Sequence, residues 1–453
     1  MKSQITFAIV FLLFASSVYS RNATCNKAVD QYAPNNTFLT GYLNPGFDDP
    51  ITGLGFVFYS KINATTIEEI AQAPTLIWLN GGPGSSSMEG AYFENGPYRV
   101  LSENGTQVIR TNPDAWTNKY NVLYIDQPIA VGFSRSEKDS NLPHNETIVG
   151  QQFYRALLSF YTGSGCYNNP ILHQSPLFIT GESYGGKYIP NIAAEIIRQN
   201  QIAAASGQLV IPLKGVSIGD PLIDPQHQLY QLGDYGVQNG LISDKTKIRL
   251  QSILNKMHTY FKANDYQKAS NTYDEAISFF MQNSINKLQN VYNYKIGPYP
   301  DDFVGDHCEN YIKQFGFDTS FKYDSTSFKI SNSLSLDCFT PNGIPALQYI
   351  LANNLPVIIY NGDNDILINT PGVTTFINGF SWEGQQVFSK LPMVNITNNN
   401  QTVATYKSYL NLHFATILDA GHLVPYDQPE SMNIILDNFI EKTLSQQTQL
   451  RQD

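Results

Sequence analysis

The sequence predicts an α/β protein: a doubly wound, mostly parallel sheet with helices on both faces and a helical insertion late in the chain. Three observations carry this expectation. Short apolar runs bounded by turn residues recur along the chain, and several are apolar throughout rather than alternating, as strands buried on both faces are. Helical periodicity fills the intervals between them. One long stretch then loses its strand signals altogether.

Taken in order, the first twenty residues place Lys2 before the apolar run "ITFAIVFLLFA", too short to span a bilayer, with Val18 and Ser20 at the small-residue cleavage positions. Residues 1–20 are therefore expected to be a secretory signal. The strands expected next are "GFVFYS" (55–60), "PTLIWL" (74–79), "NVLYID" (121–126), "PLFIT" (176–180), "LKGVSIG" (213–219), "PVIIYNG" (356–362) and "HFATIL" (413–418). Helical patterns cover 147–162, 187–202, 371–379 and 429–444. From about Asp224 to Pro341 the chain turns polar and aromatic, with helical spacing in "KTKIRLQSILNKMHTYF" and "YDEAISFFMQNSINKL". This segment, 224–341, is expected to form a helical cap over the sheet. No repeat and no Pro-, Gly- or Ser-rich linker divides residues 21–453.

Composition narrows the partners. The chain has 453 residues, 42% hydrophobic and 15% charged, with a net charge of −10 and no basic run. Nucleic acid is excluded as an expected partner, and no segment after the signal is apolar and long enough to cross a membrane. Entry into the secretory pathway gives meaning to seven Asn-x-Ser/Thr sequons, at Asn22, Asn35, Asn63, Asn104, Asn145, Asn395 and Asn400. It also suggests disulfides among Cys25, Cys166, Cys308 and Cys338, with Cys308–Cys338 favoured because it closes a short loop. No Cys-x-x-Cys or paired-His spacing points to a metal, and no cofactor is expected.

The chemistry begins at "FITGESYGGKY" (178–188), where a strand ends in Gly-Glu-Ser-Tyr-Gly. Gly-x-Ser-x-Gly between a strand and a helix is the setting of an exposed nucleophile, Ser183, with Gly181 and Gly185 as the small neighbours of a sharp turn. In this architecture an acid and then a histidine follow in chain order. His413 lies within the strand "LNLHFATIL" and is expected to be filler; His422, in the punctuated loop "LDAGHLVPYDQPE", is the expected base. Asp365 of "YNGDNDILIN" is expected to orient it, with Asp363 pinning the turn. The Tyr184 N–H and the Gly82 N–H of "WLNGGPGSSS" are the expected oxyanion donors.

Together, "WLNGGPGSSS", "ENGPY", "DQPIAVGFS", "ITGESYGGKYIP", "YNGDNDILIN" and "AGHLVPYDQPE" resemble the serine carboxypeptidases, exopeptidases of the α/β-hydrolase fold found in lysosomes, vacuoles and secretions. The resemblance runs from about Tyr42 to the C-terminal helix and is weakest in the cap. It departs at Ser85, where the family usually has a cysteine, so that family's customary disulfide cannot form there.

The resemblance implies that Asn80, Gly81, Glu94 and Glu182 bind the free C-terminal carboxylate of a peptide substrate. Two glutamates suit an anion only if a proton is shared, because a carboxylic acid donates a hydrogen bond and a carboxylate does not. An acidic pH optimum follows as an expectation. Lys187 and Tyr188 are expected to pack at the helix start, and the cap aromatics Tyr260, Phe261, Tyr292 and Tyr294 are assigned no role. Two other functions fit the same fold: an acyltransferase that excludes water, and a non-catalytic protective or binding subunit. The intact Ser, Asp and His weigh against the second.

Overall fold

The runs that are apolar throughout form the middle of a single large sheet. A computed structural model describes residues 24–28, 30–103, 106–162, 170–299, 317 and 323–449; the expected signal and the sequons Asn22 and Asn104 lie outside these residues. Its strands are β1 (Thr24–Ala28), β2 (Phe38–Leu43), β3 (Leu54–Tyr59), β4 (Thr75–Leu79), β5 (Tyr98–Glu103), β6 (Thr106–Thr111) and β7 (Asn121–Ile125). They continue as β8 (Leu177–Glu182), β9 (Leu213–Gly219), β10 (Val357–Gly362), β11 (Val394–Asn398), β12 (Gln401–Tyr409) and β13 (Leu412–Ile417). Eleven pair in the order β1-β2-β3-β7-β4-β8-β9-β10-β13-β12-β11, and β5–β6 form a separate hairpin.

The six neighbours from β7 to β13 run parallel. Every residue of β3, β4, β7, β8, β10 and β13 is buried. The pleat sends alternate residues to opposite layers. Ile77 and Leu79 join Ile179, Phe153 and Ile192 on one face, while Leu76 and Trp78 join Phe178, Ile435 and Phe439 on the other. Helices Glu146–Thr162, Gly185–Ala205, Thr370–Gly379 and Pro429–Gln449 fall where the helical periodicity placed them. Each large side chain buried in these layers contributes about 1.5–3 kcal/mol.

The antiparallel strands β1, β2, β5, β6, β11 and β12 were not anticipated. Most are polar or mixed, and their partners rather than their own composition make them strands. A signal did exist for one pair. Asn399 and Asn400 join β11 to β12 with φ of 48° and 65°, the left-handed pair that a two-residue hairpin turn needs and that Asn tolerates.

Between β9 and β10 the regular elements among the described residues are helices. Helices Asp244–Lys262 and Tyr266–Gln282 pack together, buried at Leu250, Leu254, Met257 and Phe261 and at Ala269, Thr272, Ala276 and Phe280. Their starts are capped, Ser243 accepting from the Thr246 N–H at 3.1 Å and Asp265 from the Lys268 N–H at 3.3 Å. Helix Phe328–Phe339 packs on the second of them. Helix Gly343–Ala352 then returns to the flank of the sheet against Gly185–Ala205. Toward the sheet, the Tyr235 and Tyr273 hydroxyls donate to the carbonyls of Asp363 (2.8 Å) and Leu367 (3.0 Å).

The expected Cys308–Cys338 disulfide does not form: Cys338 is a free thiol, and Cys25 is the described cysteine that is disulfide-bonded. The helix carrying Cys338 turns it inward beside the Lys187 ammonium, and burial pushes the thiol up to about 11. We predict that Cys338 resists iodoacetamide at neutral pH in the folded protein. It should be alkylated after unfolding without reductant, as read by peptide mass spectrometry.

Candidate active site

Every expected site residue except Glu94 sits just past the carboxyl end of a parallel strand or on its last residue, the edge where open α/β sheets bind ligands. Asn80, Gly81 and Gly82 follow β4, Glu182 ends β8 with Ser183 and Tyr184 after it, Asp365 follows β10 and His422 follows β13. Glu94 comes from outside the sheet, on the π-helical turn Gly90–Glu94.

Ser183 has φ of 61°, a conformation that disfavours a non-glycine residue by about 1–2 kcal/mol. The turn is over-determined by the Ser183 N–H donating to Gly219 C=O and by the Gly186 and Leu222 N–H groups donating to Ser183 C=O, each at 2.9 Å. A Cβ on Gly181 would lie 2.1 Å from Leu79 O and one on Gly186 2.8 Å from Leu222 N, whereas Gly185 has nothing nearer than 3.6 Å. The crowded glycines are thus 181 and 186 rather than 181 and 185. The Ser183 side chain is half-buried and its hydroxyl bonds to no group among the described residues.

His422 and Asp365 meet at 2.6 Å, Nδ1 to Oδ2, and both are buried. Asp365 Oδ1 also accepts from the Ile368 N–H at 3.1 Å. The pairing puts the neutral imidazole's proton on Nδ1 and leaves Nε2 as the acceptor. Asp363 Oδ1 is buried without a partner, and burial raises the carboxyl to about 6 against the pull of the Lys295 charge and the nearby Asp419 and Asp363 amides. Backbone bonds also hold the turn, Asp363 N–H to Ile417 C=O at 3.1 Å and Asn364 N–H to Ala420 C=O at 2.8 Å. His413 is strand filler as expected, bonded through Nδ1 to the Tyr406 hydroxyl, and burial depresses it to about 3.

The glycine loop after β4 is fastened from below by Asp126. Its Oδ1 accepts from the Ser86 hydroxyl (2.6 Å) and the Ser87 N–H (2.9 Å), and its Oδ2 from the Phe133 N–H (2.7 Å). Gly82 has φ of 103°, and a Cβ on Gly81 would stand 2.4 Å from the Tyr184 nitrogen. The Gly loop and the serine turn therefore touch. The amides of Gly82 and Tyr184 donate to no partner among the described residues, which leaves both free for a developing oxyanion.

Beside them lies the carboxyl cluster. Asn80 Oδ1 accepts from Trp78 Nε1 (2.7 Å) and the Gly90 N–H (3.0 Å), which fixes the amide so that Nδ2 donates to Glu94 Oε1 (3.1 Å) and Glu182 Oε1 (3.2 Å). The remaining Oε2 atoms are buried without a partner, and the two carboxyls, held by one amide, lie close enough to act on each other, so that a proton on one is needed for a hydrogen bond between them. Burial raises Glu94 to about 7. Burial, together with the charges of Glu94, Glu89 and Asp220, drives Glu182 well above the carboxylate range.

Sequence reasoning missed three contributors. Glu89 is a further buried acid raised by burial and by Glu94. Asp220, directly after β9, brings a carboxyl oxygen within 4.8 Å of ligand atoms on Asp365 and His422. These three groups are the described set that could hold a metal; the imidazole nitrogen facing Asp365, 2.6 Å from Oδ2, carries a proton rather than a lone pair. Tyr292, assigned no role, lays its ring 5.2 Å from that of His422 and its carbonyl accepts the His422 N–H at 2.7 Å. The acid directly after "GVSIG" was a readable signal for Asp220; nothing in the sequence marked Tyr292.

Of the sequons among the described residues, Asn35, Asn63, Asn395 and Asn400 are exposed, while Asn145 is half-buried and caps a helix through Ile148 N–H (3.0 Å). No helix among the described residues is long and apolar enough to cross a membrane.

Comparison with known proteins identifies the family and the fold. The model of the serine carboxypeptidase family matches residues 31–442. Serine carboxypeptidase S10 family member 1 of Dictyostelium discoideum is 27% identical over 97% of this chain and 99% of its own. Serine carboxypeptidase-like 49 of Arabidopsis thaliana is 30% identical over 82% of this chain and 72% of its own. The crystal structure of a prohormone-processing carboxypeptidase from Saccharomyces cerevisiae superimposes with a TM-score of 0.77, covering 91% of this chain and 93% of that one at 22% identity. The chain belongs to the serine carboxypeptidase family of hydrolases and has the α/β-hydrolase fold.

Proposed function

We propose that this protein releases C-terminal residues from peptides through an acyl-enzyme. Ser183 attacks the last peptide carbonyl, and His422 Nε2 takes its proton and returns it to the departing amino acid. Asp365 holds the imidazole and stabilises its charged form, while the Gly82 and Tyr184 amides stabilise the oxyanion. Water then hydrolyses the ester on Ser183. The observation that carries the exopeptidase reading is the pair of buried carboxyls bridged by Asn80 beside the serine turn. A protonated member of that pair, with the Gly81 N–H, donates to the substrate's terminal carboxylate. The expected signal and the exposed sequons support traffic through the secretory pathway, and the raised carboxyls suit an acidic lysosomal or vacuolar lumen, or an acidic secretion.

A peptide with a free C-terminus should lose residues stepwise at pH 5, while its C-terminally amidated twin stays intact, as followed by mass spectrometry. Ser183→Ala should lower kcat by at least about 10⁴-fold. Transfer of an ester's acyl group to added amines or alcohols, with peptides untouched, overturns this reading in favour of an acyltransferase. Absence of any turnover favours a binding role.

The proton also sets a pH dependence. Below about 7 both members of the Glu94–Glu182 pair are protonated and bind the terminus; as pH rises through it Glu94 ionises while Glu182 holds its proton, and the new negative charge takes up that proton as a hydrogen bond and repels the ligand. KM for peptides should therefore climb as pH rises through 7, by as much as about tenfold per unit. In the double variant Glu94→Gln with Glu182→Gln the donor cannot titrate, and the climb should disappear. An unchanged KM–pH curve in that variant sinks the proposal.

Stability should move in the same sense. A carboxyl raised from 4.5 to about 7 in the folded state gives stabilisation that is complete below the unfolded value and lost as pH rises through the folded one. The unliganded protein should melt at a higher temperature at pH 5 than at pH 8, by calorimetry.

A further inference from the structure

Asp220 is a buried acid that the proposed mechanism does not use. It follows β9 with φ of 40°, a left-handed conformation held by its N–H donating to Tyr360 C=O at 2.8 Å. Its Oδ1 accepts from the Gly362 N–H at 2.9 Å. Its Oδ2 is fully buried and meets no N–H or hydroxyl donor. A carboxylate oxygen left so in a buried site is strongly disfavoured, so the surroundings must either neutralise or pair it.

Asp365 is the group that decides. One oxygen of each carboxyl and an imidazole nitrogen of His422 lie within 4.8 Å of one another. Asp365 already accepts from His422 Nδ1 and the Ile368 N–H, so it is the better-solvated anion of the two. The other ionisable groups facing Asp220 are Asp427, Glu182, Tyr235 and Tyr360; none supplies positive charge. Two adjacent buried carboxyls of this kind cannot both ionise.

We propose that Asp220 is a positioning residue: it keeps its proton and donates a hydrogen bond to Asp365, fixing the carboxylate that holds His422. The chain then runs Asp220 O–H to Asp365, and His422 Nδ1–H to the same carboxylate, with Nε2 left to Ser183. Burial and the Asp365 charge both raise Asp220 well above the carboxylate range, in keeping with a retained proton. The donor also draws charge from Asp365 and so holds down the basicity of His422. This inference rests on the roles given above to Ser183, His422 and Asp365, but not on recognition of a C-terminus.

The test uses phenylmethylsulfonyl fluoride, which sulfonylates an activated serine with loss of fluoride and carries no carboxylate, so the Glu94–Glu182 pair does not enter. Loss of labelling in Ser183→Ala and His422→Ala secures the triad first; without that loss the fault lies in the proposed function itself. The rate of inactivation is then measured from pH 5 to 9. Asp220→Ala should slow it about tenfold to a hundredfold, the loss of a hydrogen bond to a charged group. Its pH midpoint should move up by about half a unit or more, because Asp365 becomes the stronger base. Asp220→Asn, whose amide can accept from Gly362 and donate to Asp365, should recover most of the lost rate with the midpoint near that of the parent.

The direction of the shift is decisive. Were Asp220 ionised, either substitution would remove a negative charge near the imidazole and move the midpoint down. A downward shift therefore overturns the proposal, as does an asparagine variant as slow as alanine or an alanine variant as fast as the parent. Should Asp220→Ala fail to fold, Asp220→Asn alone still reads the sign. The far-downfield proton resonance of His422 Nδ1, identified by its loss in His422→Ala, reports the same change without turnover: it should hold its position in the asparagine variant.

Discussion

A carboxyl group taken out of water with no cation beside it keeps its proton, and the carboxyl edge of this sheet is built around that constraint. Glu89, Glu94, Glu182 and Asp220 are all buried there and all pushed upward, chiefly by burial. Groups that would repel an anion as carboxylates become hydrogen-bond donors as acids. Asp365 differs in its partners, since a ring N–H and a backbone N–H both donate to it. The edge therefore gives acids of the same chemistry different hydrogen-bond partners, and placement alone divides them.

The rigidity of the cluster comes from a tryptophan and a turn. Trp78 Nε1 and the Gly90 N–H hold the Asn80 oxygen, so its NH₂ can point only at Glu94 and Glu182. A Cβ on Gly90 would sit 2.0 Å from Trp78 Nε1, so the turn carrying Glu94 presses directly on the indole. Trp78 itself is fixed by the sheet core, in edge contact with Trp116 at 5.1 Å. Packing of apolar rings thus decides which atoms of an amide face the substrate side.

Much of this was legible in the sequence, for identifiable reasons. Strands buried on both faces must be apolar throughout, so "TLIWL" and "VIIY" announced themselves; the antiparallel β11 and β12, exposed in part, did not. Ser183, Asp365 and His422 were found because a strand–turn–helix punctuated by glycine restricts where a nucleophile can stand, and chain order restricts its partners. The disulfide expectation failed because sequence separation says nothing about which way a helix turns a thiol. Asp220 and Tyr292 were overlooked because their roles come from approach in space, Asp220 across one strand to Asp365 and Tyr292 across the insertion.

Within that insertion the short stretch 291–293 bonds directly to the loops of the site. Val291 C=O accepts from the Ile366 N–H at 3.2 Å, Tyr292 C=O from the His422 N–H at 2.7 Å, and Asn293 Nδ2 donates to Asp427 at 2.9 Å. A Cβ on Gly421 would meet Tyr292 O at 2.3 Å. These few residues clasp the loops of both Asp365 and His422, while the helix pair before them touches neither His422 nor its loop through a hydrogen bond. The insertion is thus divided in its tolerance to evolutionary change. Its helices can drift, lengthen and reshape what enters, but the clasp is bound to the base and its acid, and a lineage that trimmed it would have to rebuild the resting place of its histidine.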